Sequence, residues 1–151
     1  MAFALGGSVV AVAVPSFSEN IRASRMAEPL DGLKRIATAA NALAAGAPPE
    51  LAYPETVALT PERVPQGERV LDPPGTWSHP TWRRLGFGWD VEHSYSFEFE
   101  SHNTPKSAIF VARAFGDLDG DGVQSSFSIS GETQDGKEPV LFPMSIQREV
   151  E

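Results

Sequence analysis

Polarity changes character twice along the chain, dividing it into a helical front and a stranded rear. Met1 to Phe17 (MAFALGGSVVAVAVPSF) carries no charged side chain and passes, without a turn cluster, into the charged segment SENIRASRMAEPLDGLKRIATAANAL. In that second segment Leu30, Leu33, Ala37, Ala40 and Ala44 step by three and four, which puts them on one face of a helix. Arg22, Arg25, Glu28, Asp31, Lys34 and Arg35 occupy most of the remainder. The pattern predicts one long helix in two environments: residues 1–17 among lipid or other apolar helices, and residues 18–46 lying by their stripe on a folded head. Pro15 and Pro29 are expected to bend or locally melt it, and Gly46, followed by Pro48 and Pro49, to stop it.

Residues 47–92 lose this periodicity. The stretch from Ala47 to Pro80 holds eight prolines and reads as a stiff, irregular connection over the surface. It leads to one short helix that Ser78 would cap, Pro80 would start and Gly86 would end. From residue 93 the period becomes two. HSYSFEFE, His93 to Glu100, sets Tyr95, Phe97 and Phe99 on one face against Ser94, Ser96, Glu98 and Glu100 on the other. Ser107 to Phe115 and Ser125 to Ser130 are two further predicted strands, with turns at Asn103-Thr104-Pro105 and Asp135-Gly136. Val140 to Gln147 is a fourth, which Pro143 marks as an edge or bulged strand. The expected fold is α+β: a long N-terminal helix packed on a C-terminal antiparallel sheet, with residues 93–151 as the head.

Composition narrows the function. A formal net charge of −8 argues against nucleic acid as a partner, because phosphate contacts need clustered Lys and Arg. The absence of cysteine excludes disulfides, thiolate catalysis and cysteine-based zinc sites. No catalytic constellation is present, so an enzyme is not expected. His79, His93 and His102 have no ligand spacing and read as surface or turn residues. Glu98 and Glu100 read as a solvated sheet face, and Trp77, Trp82 and Trp89 as packing aromatics. The apolar run is shorter than the about 20 residues that cross a bilayer. It carries a small-residue Ala11-Val12-Ala13 site but no basic residue ahead of it, as a secretory signal would have. The favoured reading is the distal half of a longer apolar helix that begins upstream of Met1.

The order of parts resembles that of the type IV pilins and pseudopilins. The resemblance is carried by Val9 to Phe17 (VVAVAVPSF), by Arg22, Ser24 and Ala27-Glu28, by Leu33-Lys34-Arg35-Ile36, and by the rear run FVARAFGDLDGDGVQSSFSISGE. The family's leader glycine, its aromatic first residue and its buried glutamate have no counterpart in this sequence. The resemblance implies a pilin-like fold and a structural subunit of a type IV pilus or pseudopilus-like filament. Such a subunit is anchored in the inner membrane before assembly and then lies in an extracellular filament or the periplasm. Its partners would be copies of itself or other pilin-like subunits. They would meet along Phe3 to Phe17, and the small residues Ala2, Ala4, Gly6, Gly7, Ala11 and Ala13 permit close approach. The rival expectation is a secreted, soluble calcium-binding β-module with an imperfect signal peptide.

The strongest local motif is Asp117-Leu118-Asp119-Gly120-Asp121-Gly122. Aspartates at alternate positions can converge on one point, and Gly122 permits the sharp return. Calcium takes oxygen ligands, so Asp117, Asp119 and Asp121 would give carboxylates, Val123 a backbone carbonyl, and Ser125 a direct or water-mediated contact. Where an EF-hand would end on a bidentate Glu stands Ser128, and strands flank the loop. The expectation is an EF-like calcium loop in a hairpin, against an ion-free turn whose carboxylates cap backbone amides.

Overall fold

The computed structural model describes residues 26–147. Residues 1–17 and Pro15, on which the apolar-helix expectation rests, lie outside them. The amphipathic segment is helical over residues 26–44 (α1), and every position through Pro29 stays in the helix, so the melt expected there does not occur. Pro29 is itself fully buried. No helix among the described residues is long and apolar enough to cross a membrane.

The expected architecture needs correcting. A long N-terminal helix packed on a C-terminal sheet is not what organises the molecule. The described helix has 19 residues, and a six-stranded antiparallel sheet dominates. Its path runs β1 (Val57–Thr60), β2 (Tyr95–Asn103), β3 (Ser107–Gly116), β4 (Ser125–Gln134) and β5 (Val140–Leu141), with β6 (Ser145–Gln147) also on β4. β3 and β4 pair over their full ten residues, from Ser107↔Gln134 to Gly116↔Ser125. The predicted fourth strand is broken in two, since Pro143 has no N–H for a ladder. β1 was not anticipated. It pairs by Val57↔Phe99 and Thr60↔Phe97, three steps against two, so a bulge accommodates one extra residue at this edge.

The proline-rich stretch is therefore not a surface connection. Ala52, Tyr53, Val57, Val64, Trp82, Leu85 and Phe87 from residues 47–92 are all buried. The short helix forms as α2 (Pro80–Leu85), ended by Gly86 in the left-handed region at φ 60°. Its cap is His79, whose Nδ1 accepts the Thr81 amide at 3.1 Å, and not Ser78. One core holds the α1 residues Leu33, Ile36, Ala37, Ala40 and Ala44 together with Tyr95, Phe97, Phe99, Phe110 and Phe127. Phe99 stacks on Phe110 at 5.4 Å, and Phe97 meets Phe87 edge-on at 5.1 Å. On the opposite face Arg113 donates to Glu98 and Glu100, both at 3.0 Å, in partly solvated pairs each worth at most about 1 kcal/mol.

Gly32 explains itself in this core. A Cβ there would sit 2.6 Å from the ring of Phe97, which is fully buried among other rings. Gly32→Ala gains about 1 kcal/mol of helix propensity but loses about 1–3 kcal/mol to overpacking. Urea denaturation should show net destabilisation, and Phe97→Leu in the same chain should reverse the sign by making room. A stabilised Gly32→Ala single variant would contradict this packing.

Candidate metal centre

The aspartate motif forms the connection between β3 and β4, closed at its mouth by the Gly116↔Ser125 pair. Gly120 and Gly122 take φ values of 73° and 87°, which L side chains adopt only under strain, so the aspartates alternate with residues that let the chain double back. One carboxylate oxygen from each of Asp117, Asp119 and Asp121 lies within 4.8 Å of the others. Two like charges about 4 Å apart repel by about 1 kcal/mol at the dielectric constant of water and by about 4 kcal/mol at an effective value of 20.

The three are not equivalent. Asp119 and Asp121 are exposed, whereas Asp117 is 2% exposed. Each places one oxygen on a backbone amide of the loop. Asp117 Oδ2 accepts from Gly122 at 2.9 Å, Asp119 Oδ1 from Asp121 at 3.1 Å, and Asp121 Oδ1 from Val123 at 2.7 Å. The turn-capping geometry is thus present. It leaves Asp117 Oδ1 buried with no hydrogen-bond partner, a state that a capped turn alone does not explain. Val123 and Ser125 lie on the return limb. The Val123 amide is taken by Asp121, and the buried Ser125 opens β4. Ser128, at the twelfth loop position, sits in the ladder opposite Arg113.

A second loop, silent in the sequence, supports the first. Gln66 bridges Asp117, and the Gly67 amide donates to the Asp117 carbonyl at 2.8 Å. Gly67 and Gly120 face each other so closely that a Cβ on either would lie 3.5 Å from the other's backbone. The only trace of this in the sequence is a glycine after Pro65-Gln66, about fifty residues away. Beside the paired loops opens a cleft of about 590 Å³ that Leu118, Arg69, Trp89 and the acidic Glu28, Glu68 and Glu92 help to line. Both oxygens of Glu28 accept from the Ser94 amide, at 3.0 and 2.9 Å, tying α1 to the approach to β2. Burial raises the Glu28 pKa above its ordinary value, against the lowering effects of that amide, of His93 and of Arg69.

His93 is the one histidine that departs from expectation, being fully buried. Its Nδ1 lies 2.8 Å from the Tyr95 carbonyl and its Nε2 2.6 Å from Asp72 Oδ2. A carbonyl only accepts, so Nδ1 carries a hydrogen, and the 2.6 Å contact holds a second proton between Nε2 and Oδ2. The pair is neutral as a unit. Trp77 Nε1 donates to the same Oδ2 at 2.8 Å, and Trp89 stacks on the imidazole with centroids 6.0 Å apart. This is a structural unit with no open face for a reacting group. No family model matches the chain, and no curated protein or solved structure matches it.

Proposed function

We propose that this chain is a structural subunit of an extracellular filament of the type IV pilus or pseudopilus kind, assembling through its apolar N-terminal segment. The observation that carries the reading is where α1 leads. Its apolar positions Leu33, Ile36, Ala37 and Ala40 are buried in the core of the head. From its first described residue, Met26, eight residues of chain lead back to the uncharged run Met1 to Phe17. A head joined through a packed helix to a segment with no charge is a head that apolar neighbours can hold in a defined orientation. Partners are copies of itself or related subunits, with the inner membrane as the site before assembly. The net charge of −8 keeps the heads soluble on the outside of such a fibre.

The lack of cysteine makes the test direct. Single cysteines in place of Ala4 and Ala11 should cross-link copies on mild oxidation in the membrane and sheared-filament fractions of the native organism, whereas Ser130→Cys on the head should not. Recovery of the chain only from the medium, with its N-terminus just after Ala13, would replace this reading by the secreted calcium-binding module.

A further inference from the structure

We propose that the cleft at the front of α1 receives the paired arginines of a second copy of this chain, Arg83 and Arg84 at the end of its α2. The inference rests on the filament reading for its partner and on the head alone for its chemistry. Four carboxylates, those of Glu28, Asp31, Glu68 and Glu92, line the cleft of about 590 Å³ against the single guanidinium of Arg69. That guanidinium is already engaged, donating through Nη2 to the Glu92 carbonyl at 2.8 Å. None of the four carboxylates has an ion-pair partner among the described residues. Both oxygens of Glu28 accept from Ser94, and burial raises its pKa, so a cation brought into the cleft relieves a partly desolvated charge.

The lining selects the kind of cation. Trp89, Val91 and Leu118 give the cleft an apolar wall, and Val91 is 55% exposed. An arginine lays its methylenes along such a wall while its planar guanidinium reaches carboxylates in two-point contacts. The chain carries that group itself. Arg83 and Arg84 are successive residues in the last turn of α2, both exposed, and neither is in an ion pair among the described residues. No residue of α2 lines the cleft, so the pair does not fill the cleft of its own chain. Arg35 and Arg113 are committed elsewhere, the first over the rings of Phe87 and Trp89 and the second to Glu98 and Glu100.

Charge also explains why copies need such a contact. At a net charge of −8 they repel one another, and physiological salt confines that repulsion to about 8 Å. Heads that abut must therefore pair opposite charges where they touch. The cleft and α2 are different patches, so each docked copy leaves one cleft and one arginine pair open. Such a head-to-tail contact propagates, whereas a contact of one patch with itself closes as a dimer.

The chain lacks cysteine, so Glu68→Cys and Arg84→Cys, in separate chains, can report the contact in membrane and sheared-filament fractions treated with a short bismaleimide. The reagent is needed because long paired side chains hold their backbones beyond the about 7 Å that a disulfide spans. A cross-linked dimer is expected when both variants are expressed together, and none when either is expressed alone. Charge reversal supplies a second readout. Glu68→Arg with Glu92→Arg in one chain, or Arg83→Glu with Arg84→Glu in another, should lower the yield of sheared filament several-fold. Co-expression of the two double variants should restore it, since each reversed patch then meets its opposite on the other chain. All four positions are exposed, where substitutions disturb folding little. Glu138→Arg, exposed and outside the cleft, changes net charge alone and should leave the yield unchanged. A dimer from either cysteine variant alone, no dimer from the mixture, or no recovery on co-expression would overturn the contact. Ala4→Cys in the same fractions keeps the two readings apart. Its cross-linking without the mixed head dimer overturns this contact and leaves the filament, whereas absence of both overturns both.

Discussion

Asp72→Ala should lower the unfolding free energy by about 3–5 kcal/mol, the range found when one partner of a buried, hydrogen-bonded ionic pair is removed. The His93 ring is fully buried and the Asp72 side chain 5% exposed, so water cannot readily replace the lost carboxylate. Removing it leaves two buried groups with the wrong partner count. The imidazole must either keep a proton with no counter-charge or expose an empty Nε2, and the Trp77 indole N–H loses its acceptor. Asp72→Asn distinguishes charge from hydrogen bonding. One oxygen, Oδ2, serves both Trp77 and His93, and an amide can put its oxygen or its nitrogen there but not both. With its oxygen there the amide accepts from Trp77 but gives the His93 Nε2 neither a counter-charge nor a donor. With its nitrogen there it serves Nε2 but leaves the Trp77 N–H without an acceptor, so a loss smaller than that of Asp72→Ala is expected. Urea denaturation of the two variants is the measurement. An Asp72→Ala loss below about 1 kcal/mol would place the pair in the solvated class.

A comparable loss is expected from Trp82→Ala, about 3–5 kcal/mol, as for other large-to-small aromatic truncations in cores. Trp82 is fully buried, its indole N–H donates to Thr60 Oγ1 at 3.0 Å, and its ring meets Trp77 and Phe87, each at 5.3 Å. It ties α2 to β1, which are separated by nineteen residues of proline-rich chain. Trp82→Phe should retain most of the packing and lose mainly the hydrogen bond to Thr60, about 1 kcal/mol. Denaturation midpoints for the pair of variants separate the two contributions. If Trp82 instead served an exposed sugar or peptide site, truncation to alanine would leave stability nearly unchanged.

These two residues also show where reading the chain linearly reaches its limit. Three indoles spaced along residues 77–89 are visible at once, and packing was their expected role; the structure buries Trp82 completely and sets Trp77 and Trp89 against the same core. The strand beneath was not visible. Val57-Ala58-Leu59-Thr60 is too short for alternation to stand out, and flanking prolines argue against a strand unless it lies at an edge. His93 had no marker either, since its partner Asp72 lies 21 residues earlier in a segment without period. The aspartate motif is different. Its residues are adjacent in sequence, so their convergence could be anticipated, but the orphaned oxygen of Asp117 and the loop at Gly67 could not.

The sequence by itself determined the local elements. A stripe repeating at three and four makes residues 26–44 helical, alternation makes Tyr95, Phe97 and Phe99 one buried face, and aspartates spaced by two around glycines make a carboxylate cluster. Each depends on interactions within a few residues, where backbone geometry alone dictates which side chains share a face. Tertiary structure alone decided which elements dominate. A six-stranded sheet, extended by a strand from the proline-rich stretch, forms the body, and a 19-residue described helix supplies part of its core. Sheet pairing, the Asp72–His93 pair, the contact of Gly32 with Phe97 and the support of Asp117 by Gly67 each join residues distant in the chain. Which of many compatible partners meet is settled by the joint burial of apolar area and satisfaction of polar groups across the whole core, a condition no local window contains.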